Sequence, residues 1–308
     1  MPKLNIGISP DAYDELPEFY GRIFRPSAGE WVRCLLNGHP TLRDDHWIYI
    51  RGQDGAIVSS MCLIPQQWTF AGILLAVGQV ELVATDPRYR GQGCLRQLMS
   101  AHDEVLKASG TVLSCVQGLP GLYEHFGYHN AIPLKGGLAL PAQNLPEERY
   151  GWEIRPAVSA DIPMLVRCYD QACRGDCVRS VRTDEICRYQ ENQSPGSEHA
   201  DETFVVQRDS AEGYFRLARH TKGPRVLVRE IGVSDYEAFL AVLAACRQRA
   251  ETARMSEVTL QLPSSHAALK ATGAYGGHYL VPYGWQVRIL DWRPILPTDR
   301  EGLVQPPV

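Results

Sequence analysis

Apolar residues recur along the first half of the chain with a period that switches between that of a helix and that of a strand. After a short strand at 3–8, Pro10 opens a helical stretch in which Tyr13, Leu16, Phe19, Tyr20 and Ile23 share a face. A second helix is predicted over 28–37, ending near Gly38 and Pro40. HWIYIRG and AIVSSMCLI, joined through Gln53-Asp54-Gly55, read as a β-hairpin. QQWTFAGILLAVGQVELVAT extends that sheet by two more strand-like runs. From Gly91 the period becomes helical: Leu95, Leu98, Met99, His102, Val105 and Leu106 line one side, and Gly110 stops the helix. TVLSCVQG is another strand, GLYEHFG a short helix or turn, and YHNAIPLKGGLAL a final strand region.

LPAQNLPEERYG, at 140–151, is Pro-rich and polar and reads as a linker. Beyond it the order of elements returns. WEIRPAV is a strand, 160–174 and 182–191 are helices, and TFVVQRD, YFRLARH and RVLVREIGV form a meander. A helix over 234–251 carries Tyr236, Phe239, Leu240, Leu243 and Cys246, followed by the strand EVTLQL, a short helix at 264–272 and HYLVPYGWQVRIL as the last strand. The repeat predicts a structural duplication without evident sequence identity. The expected architecture is α/β (α+β): domains at 1–142 and 151–292, each a mixed sheet with helices, and an irregular tail at 293–308.

A length of 308 residues fits one large domain or two ordinary ones, and 44% hydrophobic with 21% charged residues fits a soluble globular chain. The 31 Lys+Arg against 35 Asp+Glu leave a formal net charge of −4, without the basic footprint that nucleic acid requires. No apolar run approaches the roughly 20 residues of a membrane helix, and MPKLNIGISPDAYDEL lacks the pattern of a signal peptide. Neither a nucleic acid nor a membrane is therefore expected as partner; a homo-oligomer stays open. Nine cysteines, an odd number, point to reduced thiols in a cytoplasm. Cys168, Cys173, Cys177 and Cys187 lack the paired spacing of a zinc knuckle, so no metal is expected.

The segment VELVATDPRYRGQGCLRQLM, 80–99, carries the chemistry. A strand ends at Thr85, a polar turn follows, and Arg90-Gly91-Gln92-Gly93 leads directly into the long helix. The first-turn N–H groups of a helix lack partners inside it and the dipole adds partial positive charge, conditions that suit a pyrophosphate. A Walker loop would need Lys followed by Ser or Thr, which is missing. The dinucleotide pattern fails because Arg96 stands where a third glycine belongs.

Arg90-Gly91-Gln92-Gly93-Cys94-Leu95 resembles the coenzyme A loop [QR]-x-x-G-x-[GA] of the GNAT acetyltransferase superfamily, with Leu95 replacing the small terminal residue. Ala84 to Gly93 is similar to the frame V-x-x-P-x-x-R-G-x-G, and GLYEHFGY at 121–128 matches Y-x-x-x-G-[FY]. Gly-Cys-Leu-Arg resembles the enhanced-intracellular-survival (Eis-like) branch, which carries two GNAT-type domains in tandem; its usual sterol-carrier-like third domain is absent here. IRPAVSADIPMLVRCYD at 154–170 looks like the opening of a second such domain.

The resemblance implies two GNAT-type acyl-CoA N-acyltransferase domains, each built on a mixed, mostly antiparallel central sheet. It implies that the backbone at Val83, Ala84 and Thr85 holds the pantetheine arm and acetyl carbonyl of acetyl-CoA. The N–H groups of Gly91, Gln92, Gly93, Cys94, Leu95 and Arg96 would hold the pyrophosphate, with Arg90 starting the turn. The acyl acceptor would be an amine of a small molecule or peptide. An amine with a pKa near ~10.4 is protonated at neutral pH and must lose a proton before it attacks the thioester. Tyr123, matched by motif, is the general acid or a hydrogen-bond donor to the leaving sulfur. A phenol at ~10 protonating a thiolate at ~8.5 runs uphill by about 2 kcal/mol.

Glu81, six residues before Pro87, is the candidate base, and a period of two sets it on the strand face of Val83 and Thr85. The terminal carboxylate that serves as base in Eis-like relatives would fall at Val308, on a differently built tail. Glu124, His125 and His129 read as surface or structural residues, and Cys94 has no nucleophilic role in direct transfer. In the second half, REIGVSDYEAFLAVL offers Ser234 as a helix cap but no glycine-rich turn, so no coenzyme A site is expected there. Two alternatives stay open: a non-catalytic acyl-CoA-binding or sensor protein, and a nucleotide-binding protein of another fold.

Overall fold

The computed structural model describes residues 3–7, 9–134, 136–263 and 265–296. Val308 and most of the tail expected to be irregular lie outside the described residues. The first half runs β1 (Lys3–Ile6), α1 (Pro10–Ile23), α2 (Pro26–Gly38), β2 (Trp47–Arg51), β3 (Ile57–Phe70), β4 (Ile73–Thr85), α3 (Cys94–Ala108), β5 (Leu113–Val116) and β6 (His129–Leu134). Next come β7 (Gly137–Pro141), β8 (Glu153–Pro156), α4 (Ile162–Ala172), β9 (Val178–Ser180), α5 (Asp184–Glu191), β10 (Asp201–Arg208), β11 (Ala211–Ala218) and β12 (Arg225–Gly232). The chain closes with α6 (Tyr236–Thr252), β13 (Glu257–Leu260), α7 (Ala267–Ala271), β14 (His278–Leu280) and β15 (Tyr283–Ile289).

These strands form two mixed sheets. The eight-stranded one has the order β1-β2-β3-β4-β5-β15-β6, with β9 added to β3; the seven-stranded one runs β8-β10-β11-β12-β13-β7-β14. Each holds a single parallel pair, β4 with β5 and β12 with β13; the remaining pairs are antiparallel. The two orders correspond strand for strand, so the duplication expected from the element order is present.

The exchange of strands is not foreseen by the sequence. β15 enters the first sheet between β5 and β6, and β7 takes the equivalent place in the second, between β13 and β14. The region YHNAIPLKGGLAL, read as one strand region, divides between the sheets, as does HYLVPYGWQVRIL. In both cases the run divides between a largely exposed edge strand, β6 or β14, and a strand that enters the interior of the other sheet, β7 or β15.

The first sheet is covered on both faces. α1 and α2 bury Leu16, Tyr20, Trp31 and Leu35 against Trp47, Cys62, Leu82 and Ala84, while α3 buries Leu98 and Met99 against Ile48, Met61 and Val80 on the other face. α6 lies on the second sheet among Leu140, Val228, Val258 and Leu260. The halves also meet through the segment after α5. Trp31 packs on His199 with ring centroids 4.1 Å apart, and Arg25 pairs with Glu198. All nine cysteines are unbridged. Among the described residues no helix is long and apolar enough to cross a membrane.

Candidate active site

The strand β4 carries the first structural device. Opposite β3, Cys62 faces Glu81 and Ser60 faces Ala84, so the single residue Met61 spans both Leu82 and Val83. This is a β-bulge, and Leu82 adopts φ of +55° to make it. A bulge reverses the inward–outward alternation. Leu82 and Ala84 pack beneath α1 and α2, whereas Val83 packs on the α3 side with Met61 and Val80. Glu81 bonds Gln79, whose neighbour Val80 lies on that α3 side, so Glu81 belongs to the face of α1 and α2. The expectation that Glu81 shares a face with Val83 and Thr85 is thereby corrected: period two holds only in a regular strand.

The second device is a divergence. Pairing between β4 and β5 ends at Val80 opposite Val116, while β4 continues to Thr85. Past that point the β4 edge toward β5 has no strand partner, and the backbone of Val83, Ala84 and Thr85 borders the opening. The other edge stays fixed to β3, where the Ser59 hydroxyl donates to the Ala84 carbonyl at 3.0 Å and bonds the Thr85 hydroxyl at 2.8 Å.

The loop that follows is braced from within. Asp86, 5% exposed, accepts from the Arg88 amide at 3.0 Å and pairs with its guanidinium, bonds that hold its carboxyl down to about 2. Gln92 Nε2 donates to the Arg88 carbonyl at 3.0 Å. Gly91 and Gly93 have φ of +76° and +79°, the left-handed region open to glycine. The first helical bond runs from the Gln97 amide to the Gly93 carbonyl, so the amides of Cys94, Leu95 and Arg96 have no partner within the helix. No acidic residue stands in that turn. Arg90 and Arg96 are exposed and form no ion pair among the described residues. Cys94 is buried with its sulfur 3.8 Å from the Tyr89 carbonyl, and burial pushes its thiol up, opposite to an activated cysteine.

Tyr123 opens a 3-10 turn, Tyr123–Phe126, at the far side of the divergence. Its side chain is 5% exposed, edge-on to Tyr128 at 6.1 Å, and stacked so closely over Gly118 that a Cβ there would lie 2.0 Å from the ring. Burial, and then the charge of Glu81, push its phenol well above the ordinary range. The hydroxyl makes no hydrogen bond among the described residues. Glu81 and Tyr123, 42 positions apart in the sequence, are near enough for the Glu81 charge to act on the phenol. Glu124, His125 and His129 are exposed.

Sequence reasoning missed the contribution of β15. Tyr283 and Gln286 both donate to the Gly118 carbonyl, Gln286 at 3.2 Å, and so hold the loop that delivers Tyr123. Arg288 pairs with Asp103 of α3 and donates to the Phe126 carbonyl at 3.1 Å. The polar positions of the run YGWQVRIL were the available signal, but nothing local assigns them to the other sheet.

The second sheet repeats the bulge and the parallel pair, with a different ending. Its helix α6 is capped by Asp235, not Ser234: the carboxylate accepts from the amides of Glu237 at 2.7 Å and Ala238 at 3.0 Å. His266 reaches the Ile231 carbonyl at 3.1 Å. A resident carboxylate, with Glu237 in the first turn, disfavours a bound phosphate there.

Residues 29–131 match the acetyltransferase (GNAT) domain model. No curated protein matches the chain by sequence. Among solved structures it is similar to a conserved protein of Enterococcus faecalis V583 described as a probable N-acyltransferase, with a TM-score of 0.73 and 15% identity over 96% of this chain and 74% of that one. A GCN5-related N-acetyltransferase of Kribbella flavida gives 0.71 and 17% over 96% and 72%. Eis1 of Mycobacterium abscessus gives 0.61 and 13% over 94% and 74%. At these identities the likeness is one of fold.

Proposed function

We propose, from a chain that carries a GNAT acetyltransferase domain at 29–131, that this protein moves an acetyl group from acetyl-CoA to an amine of a small molecule or peptide. The observation that carries the reading is the end of β4–β5 pairing at Val80, which leaves the β4 edge at 83–85 open just before the helix whose first amides, those of Cys94, Leu95 and Arg96, have no partner within it. Glu81 and Tyr123 are the residues proposed to work there. The donor pyrophosphate would lie at the mouth of α3, flanked by Arg90 and Arg96, with Gly91, Gln92 and Gly93 letting it approach. The pantetheine arm would extend the sheet along Val83, Ala84 and Thr85, as a peptide adds to an open strand edge.

Glu81 takes the proton of the bound ammonium, and the freed amine attacks the thioester carbon. Amides beside Val83 hold the oxyanion, and as the carbon–sulfur bond breaks the second proton of the attacking nitrogen passes to the departing sulfur, so that a neutral amide and the coenzyme A thiol are the products. Because its phenol is raised, Tyr123 stays protonated, and it acts as a hydrogen-bond donor to the departing thiolate. Of the two roles open to Tyr123, this is the one its raised phenol favours, because full proton transfer from it runs further uphill. The second unit, which by the strand exchange takes in β7 and gives up β15 and so departs from the expected 151–292, serves as support and as a wall of the acceptor cleft, the two units forming a GNAT tandem. Nine unbridged thiols fit a cytoplasmic setting.

The test is release of free coenzyme A thiol from acetyl-CoA with a panel of diamines, aminoglycosides and lysine peptides. Turnover with at least one amine is expected. Absence of both turnover and acetyl-CoA binding overturns the reading, and binding without turnover replaces it with an acyl-CoA sensor.

A further inference from the structure

Gln79 and Glu81 lie two apart on β4, and their side chains touch: Gln79 Nε2 donates to Glu81 Oε2 at 2.6 Å. Gln79 Oε1 accepts from Nε2 of Gln66 on β3. Gln66 Oε1 accepts in turn from the indole Nε1 of Trp68 at 2.7 Å. Gln79 is 9% exposed and Trp68 5%, so water does not substitute freely along this chain of bonds.

A glutamine amide can point either way, but an indole N–H only donates. Trp68 therefore turns the Gln66 carbonyl toward itself and the Gln66 NH2 toward Gln79. The Gln79 carbonyl must then receive it, which leaves the Gln79 NH2 facing the carboxylate. The chain has one direction, and it ends as a donor on Glu81. Reversed, it would set a carbonyl oxygen against a carboxylate oxygen and lose a charge-assisted bond.

We infer that Gln79 is a positioning residue for Glu81, locked in its donating orientation by Gln66 and Trp68. The inference rests on the reading of Glu81 as the base. A base in this site has to be ionised and aimed at the amine, and a donor on its far oxygen serves both needs. The bond favours the charged form, and it fixes the carboxylate plane while leaving Oε1 near the Leu82 amide at the bulge, 3.3 Å away. The groups whose ionisation the Glu81 charge opposes are Tyr20 of α1, Cys62 of β3, Cys115 of β5 and Tyr123. Burial raises all four, so each stays neutral through the ordinary carboxylate range.

The experiment is the pH dependence of kcat/KM in the full chain with one amine, for wild type, Gln79→Leu, Trp68→Phe and Glu81→Gln. Ionisation of the amine is common to all four, so differences between the profiles belong to the protein. Gln79→Leu is expected to move the acidic limb upward by about one pH unit, with KM for acetyl-CoA unchanged. Trp68→Phe, which removes only the orienting donor, is expected to move it the same way by less, and it tests the idea should Gln79→Leu fail to fold. An acidic limb that stays in place in both folded variants while Glu81→Gln abolishes turnover overturns the relay alone. A wild-type profile in Glu81→Gln overturns the base assignment, and the relay with it.

Discussion

The Tyr283 hydroxyl donates to the carbonyl of Gly118, 165 positions earlier, tying the last strand of the chain to the loop that carries Tyr123. Gln286 doubles the tie, and the ring of Tyr123 lies against the same glycine. Tyr283→Phe removes one bond and should cost about 1 kcal/mol, leaving the thermal midpoint only slightly lower. Gly118→Ala places a methyl into the Tyr123 ring and should reduce kcat far more than Tyr283→Phe does. Steady-state rates beside melting curves check the order, and equal losses in the two variants would refute it.

Tyr123→Phe is expected to keep the fold, because the lost hydroxyl has no hydrogen bond among the described residues. Its effect should fall on the chemical step: kcat lower by roughly 10²-fold, as for a lost general acid–base or oxyanion contact, with KM for acetyl-CoA unchanged. Since burial and Glu81 raise the phenol, wild-type rates should show no loss from tyrosine ionisation below pH ~10. A stopped-flow or thiol-release assay from pH 6 to 10 checks both statements.

Local order is what the sequence makes legible. α3 announces itself through five apolar positions and His102 on one face, and the turn before it through Arg90-Gly91-Gln92-Gly93, because helix spacing and glycine chemistry act within a few residues. The hairpin of β2 and β3 is legible for the same reason. The bulge at Leu82 is not, since leucine is an ordinary strand residue and its positive φ is imposed by pairing with β3. Reading Glu81 onto the wrong face followed from that. β9, added to the far end of β3, and the exchange of β7 and β15 are equally invisible. Strand pairing is non-local, and Tyr283 or Leu138 is apolar enough to suit either sheet.

The site shows the same division. The loop glycines and Tyr123 are fixed by motifs, whereas Tyr283, Gln286 and Gln79 reach the opening through contacts between strands distant in sequence. No spacing rule links Gln66 to Gln79, yet the β3–β4 register, which pairs Gln66 with Val77 and Ile64 with Gln79, makes them diagonal neighbours.

At the mouth of α3 the binding terms can be separated. Gly91→Ala and Gly93→Ala meet no neighbouring atom within 4 Å, so the added methyl is accommodated sterically and the penalty is backbone strain at positive φ. Each should weaken acetyl-CoA binding by distorting the amides, with a stability loss of about 1 kcal/mol. Arg90→Ala and Arg96→Ala break no ion pair among the described residues. They should leave the melting point unchanged and raise the Kd of acetyl-CoA several-fold at low salt, an effect that shrinks as ionic strength rises. Calorimetric titration at two salt concentrations distinguishes the two kinds of loss.

Asp201 supplies a prediction on stability instead of catalysis. It begins β10 with its side chain 15% exposed, 3.3 Å from Arg229 Nε but without a hydrogen bond on Oδ1. Burial raises its carboxyl to about 6, against the pull of Arg229 and Arg216. In the unfolded chain the same group titrates near ~3.9. Between those values the folded protein binds more protons than the unfolded one, so stability attributable to Asp201 is complete below pH ~4 and lost as pH rises through about 6. Two pH units correspond to roughly 3 kcal/mol at most. Asp201→Asn cannot titrate. Relative to that variant, wild type should therefore lose ground in urea unfolding steadily from pH 4 to pH 6.5 and hold a constant difference above it. A difference that stays flat across the range, or that grows in favour of wild type, would mean that Arg229 and Arg216 outweigh desolvation and keep Asp201 ionised throughout.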